Sequence, residues 1–270
     1  MEYQGKWALI TGASAGIGAT FARSYAAKGA NLILVARRED RLRELAAELE
    51  GASGIKVKII AADLAEDAAP KIISGALAQD ATPVDILVNN AGYGLPGFFT
   101  ENAWTAHRGF LELMINSYVQ MTRAFLPGML ERNWGRVIQV SSVAGLVPGS
   151  AGHTLYGPSK AFLVSFAQSI AAECDGTGVN SSALCPGFTY SEFHDVNNTR
   201  GLVSQLPKYM FMKAEPVVEG AIAAVERRHV VYVPGAWNKF TTWLAKALPR
   251  PWAHAMVKNQ SKKFRKRKDN

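Results

Sequence analysis

Residues 7–18 read WALITGASAGIG: an apolar run, Trp7 to Thr11, breaks into Gly12-Ala13-Ser14-Ala15-Gly16-Ile17-Gly18 and opens onto a helical pattern from about Ile17. Glycines at such a turn permit a tight reversal and let backbone N–H groups and a helix N-terminus approach a pyrophosphate. Tight strand-to-helix turns also favour glycine for steric reasons alone, so the turn takes its meaning from what surrounds it. Outward from it, short apolar runs alternate with helical patterns. NLILVA precedes a helix over 40–50, VKIIAA a helix over 66–79, and VDILVNN a long helix from about 103 to 130. GRVIQVSS precedes a helix following Tyr156, VNSSALCPG comes next, and a late helix over 216–227 leads into VVYVPG. Nearly continuous apolar strands between helices predict a parallel sheet covered on both faces. The expected class is α/β, a doubly wound sheet of about seven strands in a single domain.

With 270 residues, 48% of them hydrophobic and 19% charged, the chain can bury a full core. No apolar run approaches the roughly 18 residues of a membrane span. MEYQGKWALITG runs directly into a strand and leaves no room for a signal peptide, so a cytoplasmic location is expected. Cys174 and Cys185 fit neither a metal site nor a disulfide framework, and no metal is expected. The net charge of +8 is uneven: residues 258–270 carry seven Lys or Arg and one Asp, which leaves the body near +2. That body does not look like a nucleic-acid binder. The tail is either a solvated end or a patch for an anionic lipid or nucleic acid. Residues 237–252 mix Phe, Trp and Leu with Lys and Arg, which suits an amphipathic helix on a membrane surface, against a second subunit, or packed on its own chain. The predicted division is a main α/β unit over 1–235 and a C-terminal extension over 236–270.

The second strand should end where an adenosine ribose is read. A carboxylate there would bond the 2′-hydroxyl, whereas a cation accommodates a 2′-phosphate. Here Ala36 is followed by Arg37-Arg38, which points to NADP(H) ahead of NAD(H); solvated loop charges beside Glu39 and Asp40 are the alternative. In open α/β sheets the carboxyl ends of strands face the ligand crevice, so Asp63 and Leu64 are placed near the adenine. Asn89 either lines the cofactor, with Ala91 and Gly92, or braces its neighbours. Asn116, inside the apolar pattern FLELMINSYVQM, is either a satisfied core amide or a polar group interrupting the helix near a reaction centre.

Residues 141–160, SSVAGLVPGSAGHTLYGPSK, set Tyr156 four residues before Lys160, on one helix face. An ammonium near a phenol favours the phenolate, which suits Tyr156 to proton exchange with a carbonyl oxygen. Such pairs also simply decorate helix surfaces.

In order, TGASAGIG, Asp63-Leu64, NNAG, Asn116, Ser142, Tyr156-Gly-Pro-Ser-Lys160 and Pro186-Gly187 resemble the short-chain dehydrogenase/reductase family in its compact form, over about residues 4–235. The resemblance implies a Rossmann fold, an NADPH-dependent oxidoreductase acting on a carbonyl or secondary alcohol, and a homo-dimer or homo-tetramer. It implies Tyr156 as general acid/base, Lys160 lowering its pKa and holding ribose hydroxyls, Ser142 on the substrate carbonyl, and Asn116 positioning a water. Pro186, Gly187, Thr189 and Ser191 would hold the nicotinamide end. It also implies a lid over 190–213, and the aromatic and Met content of that stretch suggests an apolar pocket with Phe188, Phe193, Leu202, Leu206, Tyr209 and Met210 as wall residues; ordinary helical packing is the alternative. Ser142 and Tyr156 stand one residue further apart than is usual in the family, an insertion assigned to PGSAGHT; the pairing through Ser141 would lengthen the gap. Pro158 demands a helix that starts close by. A nucleotide-binding regulator on the same fold is the rival function, against which the full Ser, Tyr, Lys and Asn set counts.

Overall fold

Seven parallel strands carry the molecule in the computed structural model, which describes residues 2–152, 154–190, 207–249, 251–255 and 257. They are β1 (Trp7–Thr11), β2 (Asn31–Ala36), β3 (Val57–Ala61), β4 (Ile86–Asn89), β5 (Gly135–Val140), β6 (Val179–Leu184) and β9 (Val231–Tyr232), in the order β3-β2-β1-β4-β5-β6-β9. Two short strands, β7 (Phe188–Thr189) and β8 (Phe211–Met212), pair separately. The expected doubly wound sheet of about seven strands is present.

The strands read as unbroken apolar runs because each face is buried under helices. Ile10, Leu32, Leu34 and Val88 pack with Phe21 and Tyr25 of α1 (Gly16–Ala27), Leu42 and Leu45 of α2 (Glu39–Ser53) and Val217 and Val218 of α7 (Ala214–Glu226). Leu9, Ile33, Val35 and Leu87 alternate to the opposite face. There they meet Ile73 and Leu77 of α3 (Ala69–Gln79), Met121 and Met129 of α5 (Ser117–Glu131) and Ile170 of α6 (Tyr156–Glu173).

The helix expected from about 103 to 130 is three pieces. α4 (Trp104–Leu111) gives way to a π turn over Glu112–Asn116 before α5 begins. The Ser117 hydroxyl donates to the Leu113 carbonyl at 2.7 Å, and the Asn116 amide donates to Glu112 at 2.7 Å, bonds that hold the widened turn. Asn116 is exposed rather than buried, so the core-amide alternative fails and the helix-interrupting one fits.

After β9 comes α8 (Ala236–Ala247), which packs back onto the Pro186-Gly187 turn. Asn238 is buried and its amide donates to Pro234 at 2.8 Å. A Cβ at Gly187 would stand 2.3 Å from Asn238 Oδ1, so only glycine permits this approach. Among the described residues no helix is long and apolar enough to cross a membrane.

Candidate active site

The strand order reverses between β1 and β4, and their diverging carboxyl ends open a crevice. Thr11 closes β1, and its hydroxyl accepts from the backbone N–H groups of Asn90 (2.8 Å) and Ala91 (3.0 Å). Asn90 returns a bond to the Thr11 carbonyl at 2.8 Å. Asn89 is a brace: its amide donates to Tyr118, Thr122 and Gln139 at 3.1–3.3 Å. Asn90, which the sequence reading passed over, ties the NNAG segment to the glycine loop.

Gly12 and Gly16 adopt φ of +66° and +55°, where a side chain is strained. At Gly18 a Cβ would lie 2.3 Å from the Gly12 carbonyl oxygen, so this glycine lets α1 press against the loop. Ala15 caps α1 without a side-chain bond, and the first turn, with Ile17, holds no carboxylate. Its orphan N–H groups therefore suit an anion. Arg38 lies against this loop, its guanidinium donating to Ser14 at 3.0 Å. Arg37 instead faces Asp63 at 3.7 Å, with 71% of its side chain exposed. Asp63 also accepts from the Ala65 N–H at 3.0 Å, and Leu64 is buried. Cationic groups, open N–H donors and a glycine cradle make a donor set that fits a dinucleotide phosphate.

Past β5, Ser141 and Ser142 part company. The Ser141 hydroxyl donates to the Lys160 carbonyl at 2.7 Å and serves the scaffold. Ser142 accepts from the Ala144 N–H at 3.1 Å and is hydrogen-bonded to the Tyr156 hydroxyl. Gly145 makes this meeting possible, since a Cβ there would sit 2.5 Å from the Lys160 carbonyl carbon. α6 begins at Tyr156, so Pro158 falls in its first turn and breaks no bond.

Lys160 is buried and donates from Nζ to the Val140 carbonyl at 2.8 Å, with Nζ 5.7 Å from the Tyr156 ring centroid. Burial pushes the Tyr156 phenol up to about 12, opposed by its Ser142 bond. Burial also brings the Lys160 amine down to about 7, opposed by Cys185. The expected lowering of Tyr156 by Lys160 is therefore not found: the amine points at Val140, and desolvation governs both groups.

The Pro186 carbonyl accepts from the Val143 N–H at 3.0 Å, tying the Pro186-Gly187 turn to Ser142's loop, and Thr189 donates to the Gly187 carbonyl at 3.2 Å. Gly92 lies against Met114 of the π turn. Of the expected lid, Ser191, Phe193, Leu202 and Leu206 lie outside the described residues. Phe188 and Tyr190 both pack on Phe211, at 5.5 and 5.0 Å between centroids. Tyr209 packs on Trp237 at 5.3 Å rather than on these rings, and Met210 is partly buried.

The model of the family described as short chain dehydrogenase matches residues 6–200. The chain belongs to the short chain dehydrogenase family. It is 41% identical over 212 residues to a short chain dehydrogenase of Pseudocercospora fijiensis, covering 76% of this chain and 67% of that one. A very-long-chain 3-oxoacyl-CoA reductase of Mycosarcoma maydis is 29% identical over 265 residues, 97% of this chain and 75% of its own. The solved short-chain dehydrogenase of Sphingobium yanoikuyae, in complex with NADPH, matches with a TM-score of 0.79 at 29% identity, covering 98% of this chain and 97% of that one. As a short chain dehydrogenase the protein is an NAD(P)-dependent oxidoreductase, and the regulator reading is not favoured.

One residue of this short chain dehydrogenase site escaped the sequence reading. Tyr118 is buried, its hydroxyl donates to the Ala91 carbonyl at 3.0 Å, and its ring centroid lies 5.6 Å from Lys160 Nζ. In sequence it is one more apolar position of a helical pattern, with only its place two residues past Asn116 as a signal. A buried cation over an aromatic ring is worth about 1–2 kcal/mol, or about tenfold in rate if it is lost at the transition state. Tyr118→Leu is accordingly expected to lower kcat/KM about tenfold and to move its pH profile, while Tyr118→Phe keeps the ring and stays within about threefold. Steady-state kinetics across pH, with circular dichroism as the folding control, checks this; equal losses in both variants would assign the effect to the hydroxyl.

Proposed function

We propose that this enzyme is an NADPH-preferring carbonyl reductase, interconverting a carbonyl and a secondary alcohol, with Tyr156 exchanging the proton at the substrate oxygen. The observation that carries the reading is the Ser142–Tyr156 hydrogen bond, with Lys160 one turn along α6 and the glycine loop across the same crevice. Gly12, Ser14, Ala15, Gly16, Ile17 and Gly18 would hold the pyrophosphate, and Arg37 with Arg38 the 2′-phosphate. Asp63, Leu64, Ala91 and Gly92 would line the adenosine half, with Asn89 bracing behind them, and Pro186, Gly187 and Thr189 the nicotinamide end. Bound there, the nicotinamide supplies or accepts a hydride.

The chain's own residues do the rest. Ser142 aims a hydroxyl at the substrate oxygen, its own lone pair already engaged by the Ala144 N–H. Tyr156 keeps its proton at neutral pH, which is the state an acid for carbonyl reduction requires. Lys160, at about 7, changes charge near working pH and would hold ribose hydroxyls, and Asn116, the last residue of the π turn, would position a water that relays to it. Phe188, Tyr190 and Phe211 favour an apolar substrate. Phe162, 39% exposed on α6, supports a homo-dimer or homo-tetramer paired through α5 and α6.

The test is NADPH oxidation against a panel of aldehydes, ketones and quinones. Turnover is expected to rise with the apolar bulk of the carbonyl substrate; tight NADPH binding with a flat panel would overturn the assignment.

A further inference from the structure

α8 is built with its bulk facing out. The side it turns to the protein is small and polar, namely Asn238, Thr242 and Ala245. The opposite side carries Trp237, Phe240 and Trp243, which are 39%, 50% and 62% exposed. Their rings continue the contact from Tyr209: Trp237 to Phe240 is 6.1 Å and Phe240 to Trp243 is 6.2 Å between centroids. A helix of a globular protein ordinarily turns such residues inward, and a contiguous exposed apolar patch marks a surface that something covers.

Charge says what covers it. α8 holds no Asp or Glu, and Lys239 and Lys246 are exposed among its aromatics. Beside it, between α7, β9 and α8, a cavity of about 500 Å³ is lined by Arg227, His229, Lys239 and Tyr232, with no carboxylate in its wall. Beyond it, residues 258–270 add seven Lys or Arg against one Asp, while the rest of the chain is near +2. A second copy seated on this face by a two-fold axis would bring these cations against their own equivalents, which is unfavourable. An anionic surface neutralises them. Trp and Phe beside Lys on one helix face is also the composition that settles at the boundary between lipid headgroups and acyl chains.

We propose that α8 docks the enzyme on an anionic lipid bilayer, with Trp237, Phe240 and Trp243 entering the headgroup boundary and Lys239 and Lys246 facing lipid phosphates. Asn238, on the opposite side of the helix from these aromatics, seats α8 directly over Gly187, so the docked helix adjoins the loop that ties to Ser142.

The full chain is tested by co-sedimentation with vesicles of phosphatidylcholine alone and of phosphatidylcholine mixed with phosphatidylglycerol. Binding to the mixed vesicles only is expected, with a blue shift of tryptophan emission and release at high salt. Phe240→Ser combined with Trp243→Ser should lower the bound fraction about tenfold, as should Lys239→Glu combined with Lys246→Glu, with circular dichroism and NADPH binding unchanged. Equal binding by wild type and the aromatic variant would place all attraction in the basic end and overturn the proposal. So would wild-type protein that ignores anionic vesicles, including the case in which the aromatic variant instead loses self-association on a sizing column. Sedimentation does not depend on turnover, so this outcome is independent of the proposed reaction.

Discussion

Tyr156→Phe is expected to lower kcat by about three orders of magnitude, within the range that a positioned general acid contributes, while NADPH binding stays within about twofold. The substitution removes one hydroxyl from a buried ring. Ser142 keeps the Ala144 N–H and reaches the Pro186 carbonyl at 3.4 Å, so its loop holds its place. Lys160 keeps its bond to Val140. Little else changes, and the melting temperature should move by no more than a few degrees. The pH dependence separates a catalytic role from a scaffold one. The Tyr156 phenol sits at about 12, raised by burial, so the proton is retained throughout the neutral range and is lost only as pH climbs through that value. Carbonyl reduction, which needs the proton, should then lose no acid between pH 7 and about 10. Alcohol oxidation needs the phenolate, whose fraction rises tenfold per pH unit below the pKa, so its rate should climb steadily with pH. In Tyr156→Phe that climb should vanish. Turnover like wild type, or a climb that survives, would remove Tyr156 from the proton path.

Much of this site was legible in the sequence because its parts obey local rules. The glycine loop is where backbone must turn with positive φ and admit α1, and Gly12, Gly16 and Gly18 do this. Pro158 between Tyr156 and Lys160 forces a helix start, and α6 starts at Tyr156. The sheet was legible for the same reason: strands buried on both faces read as unbroken apolar runs. What escaped depends on tertiary placement. The π turn at Glu112–Asn116 is invisible to periodicity, because the apolar pattern continues through it and side-chain bonds from Asn116 and Ser117 hold it. The direction of the Tyr156 shift depends on desolvation and on where Lys160 points, neither of which spacing records. Tyr118 matters through Lys160 and Ala91, which are distant in sequence. Arg37 and Arg38 are adjacent, and only the fold turns one to Asp63 and the other to Ser14.

That last distinction carries a second large effect. Arg38→Ala should weaken NADPH by about 10- to 100-fold and leave NADH within about twofold, because a charge-assisted bond to phosphate is worth about 1.5–3 kcal/mol and NADH lacks the phosphate. Arg38 is fixed beside the glycine loop through Ser14 at 3.0 Å, so its guanidinium is oriented before ligand arrives. Among the described residues Arg37 is held by a largely exposed pairing with Asp63 at 3.7 Å, a contact of small worth that it can give up for a phosphate. Arg37→Ala should therefore cost NADPH less, about three- to tenfold. If both grip one phosphate, the double variant should lose less than the product of the single losses, since each arginine counts for less once the other is gone. The ratio of NADPH to NADH affinity, measured by titration for all four proteins, decides the matter. Should Arg38→Ala weaken both cofactors equally, the Arg38–Ser14 contact is a latch that shapes the glycine loop, and the preference for NADPH has no basis in Arg38.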